Sequence, residues 1–165
     1  MTYLTPEQLN NYCLSYLEAI HPFDNLLWDF STNQYNTGLR FMELYLITNW
    51  LYVTDEHIVC YTSKDSYDRI FTKDELTPFF YENVKDHFND YEKYSFTTYN
   101  RYFNRYFPVY KIYHLTRPLA SHLFRHNIAK QLKLLGQTDI EIQEYLGEKY
   151  LGNAQNYIYS ELHIG

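Results

Sequence analysis

Between Leu51 and Phe71 the hydrophobic pattern changes period, and this change limits the possible folds more than any other feature. The segments Leu51–Val53, His57–Thr62 and Tyr67–Phe71 are short and rich in β-branched or aromatic residues. The polar pairs and quartets Asp55-Glu56 and Ser63-Lys64-Asp65-Ser66 separate them. Such a pattern predicts a three-stranded antiparallel meander. On either side the apolar residues return at helical spacing. Thr5-Pro6-Glu7-Gln8 reads as a capping box opening a helix that buries Leu9, Cys13, Leu17 and Ile20. Further helices are expected over 23–35 and, after the turn Asn36-Thr37-Gly38, over 39–48. Another is expected from the capping box at 72–75 to about His87, followed by a polar loop over 88–95. Helices are then expected over 96–107, from Thr116-Arg117-Pro118 to Leu135, from Thr138 to Gly147, and in a last short piece holding Tyr157. The expected fold is α+β and mostly helical, one domain over 1–165 with a small three-stranded antiparallel sheet.

Composition narrows the class. Hydrophobic residues make up 45% and aromatics 20% of 165 residues, too apolar for a disordered chain. No run of 18 apolar residues is present, so no membrane span is expected, and the start MTYLTPEQ carries no signal-peptide pattern. Cys13 and Cys60 are too few for a disulfide framework and fit a reducing compartment. No Cys/His spacing suggests zinc, and neither cofactor nor metal is expected.

The formal net charge of −6 argues against a nucleic-acid partner until its distribution is considered. Residues 93–138 carry eight bases and no acid, whereas residues 40–92 carry eleven acids against five bases. A polyanion responds to the local field and not to the total. Arg101, Arg105, Lys111, Arg117, Lys130 and Lys133 are therefore candidate DNA-binding residues. Among the rings interleaved with Arg101 and Arg105, most are expected in the core, because they are too closely spaced to share one face.

Several positions could carry chemistry. Arg40 follows the Gly38 turn at a helix start, where a guanidinium and free N–H groups suit a phosphate. Lys64 sits at the tip of a hairpin. His122 and Arg125 share a helix face at i,i+3, an arrangement suited to an oxyanion. His122 and His126 have an i,i+4 metal spacing, but Arg125 between them repels a cation and no third ligand is evident. Each of these residues, taken alone, also has an ordinary surface or core reading, as does Tyr157 among 20 tyrosines. Ala129–Leu146 reads as helix, glycine turn, helix, a pattern common to any αα-hairpin.

Together the motifs resemble the catalytic domain of the tyrosine recombinase (phage integrase) family. Thr37-Gly38-Leu39-Arg40 with Glu43-Leu44 is similar to its first arginine motif. Lys64, His122-Leu123-Phe124-Arg125-His126, and Leu146-Gly147 followed by Tyr157 resemble its lysine, His-x-x-Arg and closing tyrosine segments. The resemblance implies metal-independent strand cleavage and rejoining of double-stranded DNA through a 3′-phosphotyrosyl link. Tyr157 would be the nucleophile, and Arg40 and Arg125 the clamp on the nonbridging oxygens. Lys64 would be the general acid, and His122 would accept the tyrosine proton or hold the phosphate. It also implies self-association on DNA, as a tetramer if active, and a cytoplasmic, nucleoid-associated protein of a phage or mobile element. The tail 160–165 is a candidate for exchange between subunits.

Two departures stand out. The family usually has histidine, or sometimes tryptophan, where this chain has Glu148. A lost hydrogen-bond donor there is worth about 3 kcal/mol, roughly a hundredfold in rate. An ionised Glu148 would repel the phosphate; protonation and a turn away towards the neighbourhood of Lys149 are the open alternatives, and activity is expected to be slow rather than absent. The resemblance also implies that these 165 residues correspond to the catalytic domain alone, the family's N-terminal core-binding domain lying outside them, as expected of a fragment, a standalone minimal protein or a relic. The alternative function is a catalytically weakened, DNA-binding regulator of a phage or mobile element.

Overall fold

The structure, a computed structural model, describes residues 2–61, 66–106 and 111–165. The meander is present. Strands β2 (Trp50–Thr54), β3 (His57–Cys60) and β4 (Arg69–Thr72) pair antiparallel in the order β2-β3-β4. Its register separates the faces. Leu51 pairs with Val59 and Val59 with Ile70 on the outer side, while Ile58 pairs with Phe71 on the inner side. Trp50, Ile58, Cys60 and Phe71 are buried, as period-2 alternation requires.

Around this sheet the described residues form eight helices. The first are α1 (Pro6–Ile20), α2 (Asn25–Thr37) and α3 (Phe41–Tyr45), followed by α4 (Pro78–Lys85) and α5 (Phe96–Tyr106). The last are α6 (Leu123–Leu134), α7 (Asp139–Leu146) and α8 (Leu151–Tyr159). The expected capping boxes at Thr5/Gln8 and Thr138/Glu141 are both formed. Gly38 and Gly147 end α2 and α7 in left-handed conformation, with φ of 70° and 74°.

Three boundaries differ from expectation. The box at Thr72 opens only a 3-10 turn, and α4 is capped by Thr77 instead. Pro78 forces the residue before it out of helical geometry, so no helix can run through Thr77. The same rule moves the start of α6. Arg117 precedes Pro118 and is extended, in a two-residue strand β6 (Arg117–Pro118) paired with β5 (Ile112–His114). The helix expected from Thr116 begins at Leu123. The helix expected over 39–48 ends at Tyr45, and a 3-10 turn covers Ile47–Asn49.

A second sheet was not expected. The strands β1 (Thr2–Tyr3) and β7 (Leu162–Ile164) join β5 and β6 in the order β1-β7-β5-β6. The tail considered for exchange thus lies in the middle of this chain's own sheet, with Ile164 opposite both Thr2 and Ile112.

Two apolar clusters hold these elements. The larger is strongly aromatic and includes Tyr16, Phe30, Phe80, Tyr91, Tyr99, Phe103 and Phe124. Phe30 lies within 5 Å of the rings of Phe41, Tyr91 and Tyr99. Buried Asp29 is satisfied inside this cluster by the hydroxyls of Tyr91 (2.5 Å) and Thr77 (2.8 Å). The smaller cluster joins Ala129, Ile142, Leu146 and Ile158 of α6, α7 and α8.

Candidate active site

Five predicted residues, Arg40, His122, Arg125, Glu148 and Tyr157, meet where α3, α6, α8 and the α7–α8 connection converge. Arg40 occupies the N-cap position of α3, and its backbone N–H donates to Glu43 Oε1 at 2.8 Å. Glu43, three residues on, thereby fixes the turn that presents the guanidinium. Nη1 of Arg40 reaches Ser66 Oγ at 3.1 Å and Glu43 Oε2 at 3.4 Å. Arg125 is only 1% exposed. It donates to the carbonyls of Gly38 (2.9 Å) and Leu146 (3.0 Å), contacts that tie it to the ends of α2 and α7. Its Nε is buried and has no hydrogen-bond partner among the described residues.

Glu148 lies between the two arginines. Its Oε1 accepts from Arg125 Nη2 at 2.8 Å and also from Arg40 Nη2. The side chain is 2% exposed. Of the alternatives left open for Glu148, the turn towards Lys149 is not the one adopted. Its backbone is fixed by a β-bridge to Ser66 and by Gly147, where an added Cβ would meet the Tyr67 carbonyl at 2.9 Å. This route out of α7 points Glu148 inward, and buried Arg125 with partly exposed Arg40 supplies the pairing a buried carboxylate needs.

Tyr157 is presented by α8 across from His122, at the start of α6. The Tyr157 hydroxyl and His122 Nε2 are 2.9 Å apart. Burial lowers the His122 pKa to about 4, aided by the charges of Arg125, Arg40 and Arg117 and opposed by Glu148. The ring is therefore neutral at pH 7, with a lone pair able to take a proton. The Arg125 guanidinium lies 5.1 Å from the Tyr157 ring centroid. His126 packs edge-on against the same ring at 4.9 Å and has its Nδ1 2.8 Å from Ser160 Oγ. Burial, helped by His122 and Lys130, lowers the His126 pKa to about 2. The sequence suggested His126 only as half of a metal pair. Among the described residues no group of three or more His, Cys, Asp or Glu side chains could hold a metal. A cavity of about 430 Å³ is lined by Arg40, Arg117, His122, Glu148, Asn156 and Tyr157, among others. Lys64 lies outside the described residues.

Two solved structures share this arrangement of elements. The crystal structure of XerA recombinase superimposes with a TM-score of 0.61 at 19% identity, over 96% of this chain and 59% of that one. The XerH site-specific recombinase, bound to a palindromic difH substrate in a post-cleavage complex, gives 0.56 at 17% identity, over 96% and 50%. The fold is that of the tyrosine recombinases. No protein-family model matches the sequence, and no curated protein matches it significantly. The chain spans between half and three-fifths of the length of these two recombinases.

Within this recombinase fold the predicted DNA-binding residues divide. Arg101 and Arg105 are exposed on α5 and flank the Tyr102 ring at 5.5 and 5.2 Å, while Tyr99 and Phe103 on the same helix are buried. Lys111 is exposed, and Arg117 stands at the rim of the cavity. Lys133 is paired with Asp139 at 2.8 Å. Lys130 is a correction. Its amine is buried and donates to the carbonyls of Ile158 (3.0 Å) and Ser160, anchoring the end of α8 rather than facing solvent. The acid-free stretch thus spends two of its eight bases, Arg125 and Lys130, inside the protein. No helix among the described residues is long and apolar enough to cross a membrane.

Proposed function

We propose that this chain cuts and rejoins double-stranded DNA through a tyrosyl intermediate, as a recombinase-like enzyme of a phage or mobile element. The observation that carries the reading is the 2.9 Å contact between Tyr157 Oη and a neutral His122, in one cavity with Arg40 and close to Arg125. Tyr157 Oη attacks the phosphorus, and its proton passes to His122 Nε2. The bond from phosphorus to the 5′-oxygen breaks, and Lys64 protonates that oxygen. A 3′-phosphotyrosyl link and a 5′-hydroxyl result, and a 5′-hydroxyl of a partner strand reverses the step. Arg40 and Arg125 stabilise the charge that builds on the nonbridging oxygens. No nucleotide is required, because the link conserves the phosphodiester energy, and the two guanidinium groups supply the positive charge at the phosphate. Arg101, Arg105, Lys111 and Arg117 are the proposed backbone-binding residues. Residues 1–165 act as the catalytic domain, and exchange between two duplexes requires self-association, as a tetramer.

Incubation with fragmented DNA, denaturation in SDS and sequencing of the attached strands tests this reading. Wild type should yield covalent adducts and Tyr157→Phe none. Adducts that persist in Tyr157→Phe overturn the assignment of the nucleophile.

A second reading, a DNA-binding regulator without cleavage, is favoured by the Glu148 carboxylate between the two arginines. It expects salt-sensitive DNA retention and no nicked or rejoined product.

A further inference from the structure

The Arg40–Arg125 pair has the geometry of a site for a tetrahedral oxyanion, and a carboxylate of the same chain already fills it. A single oxygen, Glu148 Oε1, takes hydrogen bonds from both guanidinium groups. Glu43 adds a second carboxylate on Arg40, so two cations face two anions and the cradle is formally neutral. Arg125 keeps a buried Nε donor with no partner among the described residues, so its guanidinium is not saturated. The backbone of Glu148 is held at both ends of the residue. Its N–H donates to Gln143 O at 3.1 Å, and its carbonyl accepts from Gln143 Nε2 at 3.2 Å. Only the side chain is therefore free to leave, by rotation into the cavity that Arg40 and Tyr157 line.

We infer that the Glu148 carboxylate is a tethered competitor for the DNA phosphate: it occupies the Arg40–Arg125 cradle in the DNA-free chain and must be displaced before a phosphodiester can enter. The inference rests on the recombinase-like reading for the identity of that phosphate, but not for the occupancy of the cradle. A tethered group acts at an effective concentration of about millimolar or more. A free monoanion or dianion in solution competes poorly with it. A phosphodiester carried in by DNA is itself held by many backbone contacts and competes well. Glu148 therefore restricts the cradle to phosphates that arrive within bound DNA.

The test is a titration with inorganic phosphate followed by guanidinium 15N NMR. In the wild type the Arg40 and Arg125 signals should stay unmoved at about 0.1 mM phosphate, well below the effective concentration of the tethered carboxylate. In Glu148→Gln, which keeps the size and one acceptor, both signals should shift and saturate at least tenfold lower in phosphate. Glu148→His carries the same expectation should the glutamine variant fail to fold. Equal responses in wild type and variant overturn the inference, as does a folded variant whose arginines ignore phosphate. Adduct formation on DNA is scored separately and should rise at least tenfold in the same variants. Phosphate results as expected with no adduct in any variant would remove the recombinase-like reading and leave the occupancy of the cradle by Glu148 standing.

Discussion

The two apolar clusters of this protein do different jobs. The larger one interlocks α1, α2, α4, α5 and the three-stranded sheet through ring-on-ring contacts, with Phe30 near its centre. The smaller one consists of four aliphatic side chains, Ala129, Ile142, Leu146 and Ile158, against which Tyr157 packs. The nucleophile candidate thus rests on the thin cluster, and Glu148 follows the end of α7 that belongs to it, while the bulk of the burial lies elsewhere. Stability is not uniform in such a molecule, and segments with few buried contacts open first. The α7–α8 hairpin should open locally at a free energy below that of global unfolding.

The strongest way to break this contrast is to strike the large cluster. Phe30→Ala should cost about 3–5 kcal/mol, the range for removing a buried ring, and should lower the denaturation midpoint equally by every probe. A loss below 1 kcal/mol would mean that the aromatic cluster is not the stabilising centre. Next in size, Ile158→Ala should cost about 2–4 kcal/mol, but unevenly. Amide exchange should accelerate across α7 and α8 while α1 and α2 stay protected. Uniform acceleration would erase the distinction between the clusters.

The smallest expected effect is acid sensitivity, and it should belong to the site. His122 and His126 have pKa values lowered to about 4 and about 2, chiefly by burial. Their unfolded forms bind protons near pH 6.5 while the folded forms do not, so stability falls as pH drops below that value. Between pH 8 and pH 6 the two rings together should cost about 1.5 kcal/mol. His126→Phe should remove about half of this slope in a pH series of thermal melts. An unchanged slope would place the acid-sensitive groups outside the site.

How much of this was legible in the sequence depended on how local each interaction is. The β2–β4 meander was readable because its strands pair with immediate neighbours across short polar turns. The four-stranded sheet was not, because its strands are two or three residues long and Thr2 finds its partner at Ile164. The expected helix over 116–122 failed on one rule, the extended conformation that proline imposes on Arg117. Arg40, His122, Arg125 and Tyr157 were readable as motifs, and the structure brings them to one cavity or its wall. The direction of Glu148 was not readable, because it depends on Gly147 and Ser66 steering the backbone, and two residue names do not reveal that. Lys130 counted as one more surface base until the carbonyls of Ile158 and Ser160 claimed its amine.

Gly38 sets a dimension of the site. A methyl group at this position would lie 2.6 Å from Ile128 Cγ2 and 3.6 Å from the Arg125 Cα, and the Gly38 carbonyl accepts from Arg125 itself. The turn that delivers the first arginine therefore touches the helix that delivers the second, backbone against backbone. The separation of the two main-chain segments from which the arginines project is a contact distance, set at Gly38. Any larger residue at 38 would act as a wedge against Ile128 of α6 and would be strained by the left-handed backbone, pushing the two segments apart.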